Sequence, residues 1–355
     1  MAPRGSVPGS SRDRPAQGRI VTFPLLTGGE SGPYMTARGL EGVGVDRISA
    51  SFPVRDYPAR DAWDVITETA EGGQRFSKIM RHGKASVAVS VARLQTGEMW
   101  GRVDFNPARF ADPDGCSLLP LEEAPAGLAA GIEVARLVGV KPRGGAERLR
   151  LTRLDVARDF RGVAAPSAYV AGLAGVRRPY ARRSGVWSDA AKGSAQTLHV
   201  GSGAGMVRLY DQYEAYAEKG AVLGSLRFEV EARKGWLRDR GITGVDGLAP
   251  AALEVLLGER WEWSRMGEAV SGTAGAARVF AAAVQRGELT AGQARAFAGA
   301  LLMESGGIGH GLEPRQARRY RAFLREHGIS AVIEGVPEAH YVGRLDFATG
   351  TEVAA

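Results

Sequence analysis

The chain has 355 residues, 44% apolar and 24% charged, so it can bury a sizeable core and is long enough for two or three domains. Lys and Arg number 46 against 39 Asp and Glu, a formal charge of +7 that favours a polyanionic partner, although richness in Ala, Gly and Arg is also what a GC-rich genome produces. No apolar run approaches the ~18 residues of a membrane span, no secretory segment opens the chain, and the single cysteine, Cys116, excludes a disulfide framework and a thiolate zinc cluster.

Residues 1–43 are rich in Gly, Ser, Pro and Arg and read as a disordered basic tail. Alternation then predicts strands over Asp46–Phe52, Ala85–Arg93 and Trp100–Phe105, with a helix near Asp61–Ala70 and another over Glu122–Val138. A second series of strands is predicted over Leu149–Phe160, Thr197–Gly201, Gly205–Tyr210 and Ser225–Arg233, with a helix near Pro166–Val176. Arg102-Val-Asp104-Phe105 echoes Arg153-Leu-Asp155-Val156, which hints at duplication of a unit spanning 44–140 and 141–245. Gly201-Ser-Gly-Ala-Gly205 fits a hairpin turn better than a phosphate loop.

After Lys234 the pattern is helical, over Lys234–Arg240, Pro250–Leu257, Thr273–Arg286, Ala291–Glu304 and Pro314–His327. Thr290 with Gln293 forms a capping box, and Pro314 suits a first helical position. The expected fold is α+β: an antiparallel-sheet catalytic domain over 44–245, a small helical domain over 246–335 and a C-terminal tail over 336–355.

Three strands of the second half separate charge from apolar side chains. A two-residue period groups Arg153, Asp155 and Asp159 against Leu154, Val156 and Phe160. It likewise groups Arg227, Glu229 and Glu231 against Leu226, Phe228 and Val230, and Arg208 with Tyr210 against Val207 and Leu209. If these strands are neighbours, one face carries carboxylates, arginines and a tyrosine. Such a face suits phosphodiester cleavage: carboxylates hold Mg²⁺ or Mn²⁺, Arg153 and Arg208 grip phosphate, and the phenol attacks. A sheet with one face in water shows the same alternation, so the pattern alone leaves a plain solvated face as the alternative.

The ordered motifs Leu151-Thr-Arg-Leu-Asp-Val-Ala-Arg-Asp-Phe160, Met206-Val-Arg-Leu-Tyr-Asp-Gln-Tyr-Glu-Ala-Tyr216 and Leu226-Arg-Phe-Glu-Val-Glu-Ala-Arg233 resemble the rolling-circle replication initiators of Rep_trans-type plasmids and integrative elements and the replication endonucleases of filamentous phages. Val103-Asp-Phe-Asn-Pro107 is similar to an Asn-Pro segment of the phage members. The resemblance spans about 46–242. It implies that Tyr210 is the nicking tyrosine and that Asp155, Glu229 and Glu231 bind the metal, with Asp159 on the same face as a further ligand. Gln212 stands where the family usually has Lys, and Glu214 falls one residue earlier than its commoner spacing. Tyr213 and Tyr216 are rival nucleophiles close by. None of the five histidines forms the His-hydrophobe-His pair of the other large group of nickases.

Origin DNA, single-stranded or cruciform, is the implied partner. Candidate contacts are Arg177, Arg178, Tyr180, Arg182 and Arg183 in one loop, Arg227 on a strand, and Arg315, Arg318, Arg319, Arg321 and Arg325 on the last long helix. Without a Walker motif, unwinding falls to a host helicase and synthesis to a host polymerase. The resulting expectation is a cytoplasmic enzyme of a plasmid or phage, free of membrane and compatible with a homodimer. The alternatives are a non-catalytic DNA-binding regulator of the same fold and a conjugative relaxase.

Overall fold

The computed structural model describes residues 42–354 apart from 70–72, 83–84, 111, 113–115, 165, 175, 177, 179–180, 182, 189–195, 203–204, 217–220, 268–269, 306–308, 328, 330 and 334–341. The tail expected over 1–43 therefore lies almost wholly outside the described residues.

The first series is β1 (Val43–Asp56), β2 (Val65–Glu68), β3 (Gln74–His82), β4 (Ala85–Arg93), β5 (Met99–Phe105), β6 (Leu119–Pro120), α1 (Ala124–Leu137) and β7 (Lys141–Pro142). The second is β8 (Arg150–Phe160), α2 (Pro166–Ala174), β9 (Arg183–Ser188), β10 (Gln196–Ser202), β11 (Gly205–Asp211), α3 (Gln212–Tyr216), β12 (Leu226–Arg233), α4 (Lys234–Asp239) and α5 (Pro250–Ser264). The helix expected near 61–70 is absent. A single 3-10 turn at Arg60–Ala62 gives way to β2, where Val65, Ile66 and Thr67 are all β-branched and pair with β3 instead.

The main sheet runs β2-β3-β4-β5-β1-β8-β12-β11-β10-β9, with β6 and β7 added beside β1. This order is a mirror about the central antiparallel β1–β8 pair. On each side the opening strand of a series pairs with its closing strand, β1 with β5 and β8 with β12, and the order then runs backward along the chain. The registers match as well. Arg102 of β5 lies between Ser51 and Ser90, as Arg227 of β12 lies between Asp159 and Tyr210. Two residues on, Asp104 lies between Ser49 and Ala88, as Glu229 lies between Ala157 and Arg208. By position, the partner of Arg102-Val-Asp104 is Arg227-Phe-Glu229, not the Arg153-Leu-Asp155 of the sequence echo.

One face of the sheet is apolar in both halves. It presents Ile48, Phe52, Val103, Phe105 and Val89 on one side, and Leu154, Val156, Phe160, Phe228, Val230 and Leu209 on the other, all buried. The helices α1, α2 and α5 contribute to the same core. At Gly131 of α1 an added Cβ would stand 2.2 Å from the Phe105 ring, so the glycine lets that helix lie close against β5. Trp261 of α5 stacks on Phe160 at 5.1 Å and meets Phe228 edge-on at 5.0 Å. These ring contacts assign α5 to the sheet core.

The helices that follow, α6 (Thr273–Gln285), α7 (Ala291–Ser305) and α8 (Pro314–Glu326), share a second hydrophobic cluster around Phe280, Phe297, Tyr320 and Phe323. The capping box at α7 is formed: the Thr290 amide donates to Gln293 Oε1 at 2.9 Å, and the Gln293 amide to Thr290 Oγ1 at 3.2 Å. A small second sheet is ordered β14 (Ala331–Ile333), β13 (Val270–Gly272), β15 (Val342–Asp346), β16 (Thr351–Ala354). Residues 336–355, expected as a tail, thus include two strands that dock on the main body. Tyr169 of α2 donates to Glu352 at 2.6 Å, Leu345 is buried in the sheet core, and Phe347 packs 5.3 Å from Trp261. Such short strands leave no periodic signal in sequence.

Candidate metal centre and nucleophile

The second face of the sheet is polar, and its centre lies where β8, β12 and β11 adjoin. Direct pairing puts Glu231 beside Asp155, Arg208 beside Glu229, and Arg227 between Asp159 and Tyr210. Alternation on three neighbouring strands therefore gathers the charged groups expected from sequence. A fourth strand adds one more. In β1 the register slips between Val45, opposite Val156, and Arg47, opposite Asp155, so that Asp46 is a bulge residue. The bulge turns Asp46 toward the polar face, where ligand oxygens of Asp46, Asp155 and Glu229 lie within 4.8 Å of one another.

Arginines knit the cluster together. Arg153 Nε donates to Asp155 Oδ1 at 2.8 Å, and its Nη2 lies 3.0 Å from Glu231. Arg208 forks between Glu229 and Glu231. Arg227, 2% exposed, donates to both oxygens of Asp159 at 2.6 and 3.0 Å, to Asp46 at 3.2 Å and to the Cys116 carbonyl at 2.6 Å. The Tyr210 hydroxyl donates to Glu229 Oε2 at 3.3 Å.

Electrostatics separates two kinds of carboxylate. Burial, and then the proximity of Asp46 and Asp155, pushes the Glu229 carboxyl up to about 8. Burial with the Asp46 charge also raises Asp155, despite its bond to Arg153. Glu231 is the opposite case: burial would raise it, but Arg233, Arg153 and Arg208 together hold it below the usual carboxylate range. Burial lifts the Tyr210 phenol well above 10, with Arg227 pulling the other way. Asp155 and Glu229 thus sit in excess negative charge that a divalent cation would relieve. The donors are all oxygen, which suits Mg²⁺ or Mn²⁺. Beside Asp46, to which Asn106 Nδ2 donates at 3.3 Å, the buried Asn106 Oδ1 has no hydrogen-bond partner among the described residues. The residues present therefore fit a hard cation.

Of the residues predicted as ligands, Asp155 and Glu229 fall in the cluster, whereas Glu231 is held by three arginines and Asp159 by Arg227. Asp46 is absent from the sequence-based set. Its signal was Asp46-Arg47, two adjacent charges that break the alternation of an otherwise buried strand, as a bulge does. The tyrosines also separate. Tyr210 is 6% exposed on the sheet face, Tyr213 is 37% exposed, and Tyr216 lies edge-on to Tyr210 with ring centroids 6.0 Å apart. Asp211 sets this geometry by accepting the amides of Tyr213 and Glu214 at 3.0 and 3.2 Å, capping α3. Gln212 is buried and Glu214 exposed.

Two expected DNA contacts are corrected. Arg178 is buried and gives its guanidinium to the carbonyls of Ser264 and Val176 at 2.5 and 2.8 Å, and Arg227 is buried against Asp159, Asp46 and the Cys116 carbonyl. Arg177, Tyr180 and Arg182 lie outside the described residues, and Arg183 opens β9. On α8, Arg315, Arg318, Arg319 and Arg321 are exposed opposite the buried Ala317, Tyr320, Phe323 and Leu324; Arg325 belongs to the same helix. No helix among the described residues is long and apolar enough to cross a membrane.

No family model and no curated protein matches the chain. Among solved structures the chain is similar to the rolling circle replication initiator protein from Geobacillus stearothermophilus, at 16% identity and a TM-score of 0.35, over 62% of this chain and 84% of that one.

Proposed function

We propose that the protein is a metal-dependent DNA strand-nicking and joining enzyme that starts rolling-circle replication, with Tyr210 as its nucleophile. The observation that carries this reading is the Tyr210 phenol donating to Glu229 at the edge of the Asp46, Asp155 and Glu229 cluster. When bound, a divalent cation would supply Lewis-acid polarisation of a phosphoryl oxygen. Asp46, Asp155 and Glu229 would hold it.

The Tyr210 oxygen attacks the scissile phosphorus, its proton passes to Glu229, and the phosphorus–oxygen bond to the adjoining sugar breaks, the leaving oxygen taking a proton from solvent. The products are a phosphotyrosine and a free DNA hydroxyl, and attack by a hydroxyl on the phosphotyrosine rejoins a strand. Arg208 and Arg153, each partly exposed beside the acids, are placed to bind phosphate oxygens. The exposed arginines of α8 would supply a duplex-binding helix. A plasmid or phage origin is the substrate, in the cytoplasm, with a host helicase and polymerase acting downstream.

Incubation with Mn²⁺ and single-stranded origin DNA tests the reading. A denaturant-resistant adduct is expected from the wild type and not from Tyr210→Phe. The burial of Tyr210 favours one rival, a regulator that binds origin DNA without cutting. That rival predicts origin retardation with no adduct from the wild type.

A further inference from the structure

The polar face does not end at the metal cluster. It continues across β1, β5, β4 and β3, where the mirrored positions have lost the catalytic groups: Ser90 stands in the register of Tyr210, Ala88 in that of Arg208 and Ser51 in that of Asp159. On β4 the outward residues are Ser86, Ala88, Ser90 and Ala92, all small and exposed or half-exposed. Arg75, Arg81 and Arg102 border them and are exposed. Trp100, half-buried on the same face, offers a ring. The strands β3, β4 and β5 contain one carboxylate, Asp104, and Arg47 and Arg102 already neutralise it at 2.6 and 3.2 Å.

We infer that this half of the sheet is a non-cutting binding track for single-stranded DNA, along which the strand held at Tyr210 continues. The inference rests on the nicking reading of the Tyr210 site. Small side chains let a sugar-phosphate backbone approach the sheet, arginines on both sides of β4 match its charge, and a ring accepts a stacked base. The position of Ser90 is five strands from Tyr210, on the order of 24 Å across the sheet at about 4.8 Å per strand, before any offset along the strands. An occupant must therefore extend several nucleotides past the nick. An excess of cation on this face disfavours a second copy of the same basic chain as its occupant.

Fluorescence anisotropy of Tyr210→Phe with labelled oligonucleotides tests this without cleavage. One oligonucleotide spans only the nick, and two others are extended by about ten nucleotides on the 5′ or the 3′ side, within the ~4–16 nucleotides typical of single-strand grooves. One extension is expected to tighten binding at least tenfold. Adding Arg75→Ser, Arg81→Ser and Arg102→Ser should remove that gain and lower the salt slope by about 2, at roughly 0.7 per lost phosphate contact. Ala88→Glu, at an exposed position of the same face, should also remove it. In a Tyr210-containing background the same changes should leave adduct formation on the short oligonucleotide intact. No gain from either extension overturns the track, as does a gain that survives both sets of changes. So does an altered sedimentation coefficient in the variants with DNA binding unchanged, which would assign the face to a second copy. Absence of an adduct with the gain retained would instead sink the nicking reading alone.

Discussion

The two halves of the sheet share strand order, register and an Arg-x-acid pair, yet one buries both members of the pair and the other leaves its arginine exposed. Arg227 and Glu229 lie under 5% exposed within a ring of acids, whereas the side chain of Arg102, in the mirrored place, is 47% exposed beside Asp104. Burial is what separates a site from a surface here. In the second half it drives Glu229 and Asp155 upward and concentrates charge that a cation would relieve. In the first, burial pulls Asp104 upward, but Arg47, Ser49 and Arg102 together outweigh it and hold the carboxyl below the usual range. The first half still contributes to the cluster through Asp46, which its bulge carries across the central strand pair.

The contrast is most easily broken at the paired arginines. Arg227→Ala leaves Asp159 and Asp46 without their buried partner and should cost about 3–5 kcal/mol in chemical denaturation. Arg102→Ala, at the exposed equivalent, should cost no more than about 1 kcal/mol. Equal losses would erase the distinction between the halves.

Next in size is a pH effect confined to the second half. Without cation, Glu229 titrates near 8 against its ordinary 4.5, so its protonated form adds stability that is complete below 4.5 and is lost as pH rises through 8. Cation binding must displace that proton, so Mn²⁺ affinity measured by calorimetry should rise about tenfold per unit from pH 6 to 8 and then level off. A flat profile would contradict the burial argument. Asp46→Asn should weaken Mn²⁺ at least about tenfold, and Asp104→Asn should leave the affinity unchanged. Smallest of all, Ser90→Ala should alter neither adduct yield nor Mn²⁺ affinity, since Ser90 occupies the register of Tyr210 without its surroundings.

Local pattern carried much of this architecture. Ala85–Arg93 matches β4 end for end, and the polar faces of β8, β11 and β12 are those the alternation implied. In β3, Ile79 is 51% exposed while Phe76 and Met80 are buried, so apolar residues fall on both faces and blur the period. Asp46 was hidden because a bulge interrupts the two-residue rule on which the face assignment rests. The mirror order depends on pairings between strands over a hundred residues apart, such as Ser49 with Arg153, which no local window contains. Arg178 and Arg227 looked like phosphate ligands because charge is legible in sequence and the depth of burial is not.

The most direct test of this asymmetry is peptide mass mapping of the covalent adduct after nuclease trimming. A nucleotide remnant on Tyr210 and on no other residue is the predicted result. A remnant on Tyr216, Tyr213 or Ser90, with Tyr210 unmodified, would contradict the claim that the buried half of the sheet, through Tyr210, does the cutting.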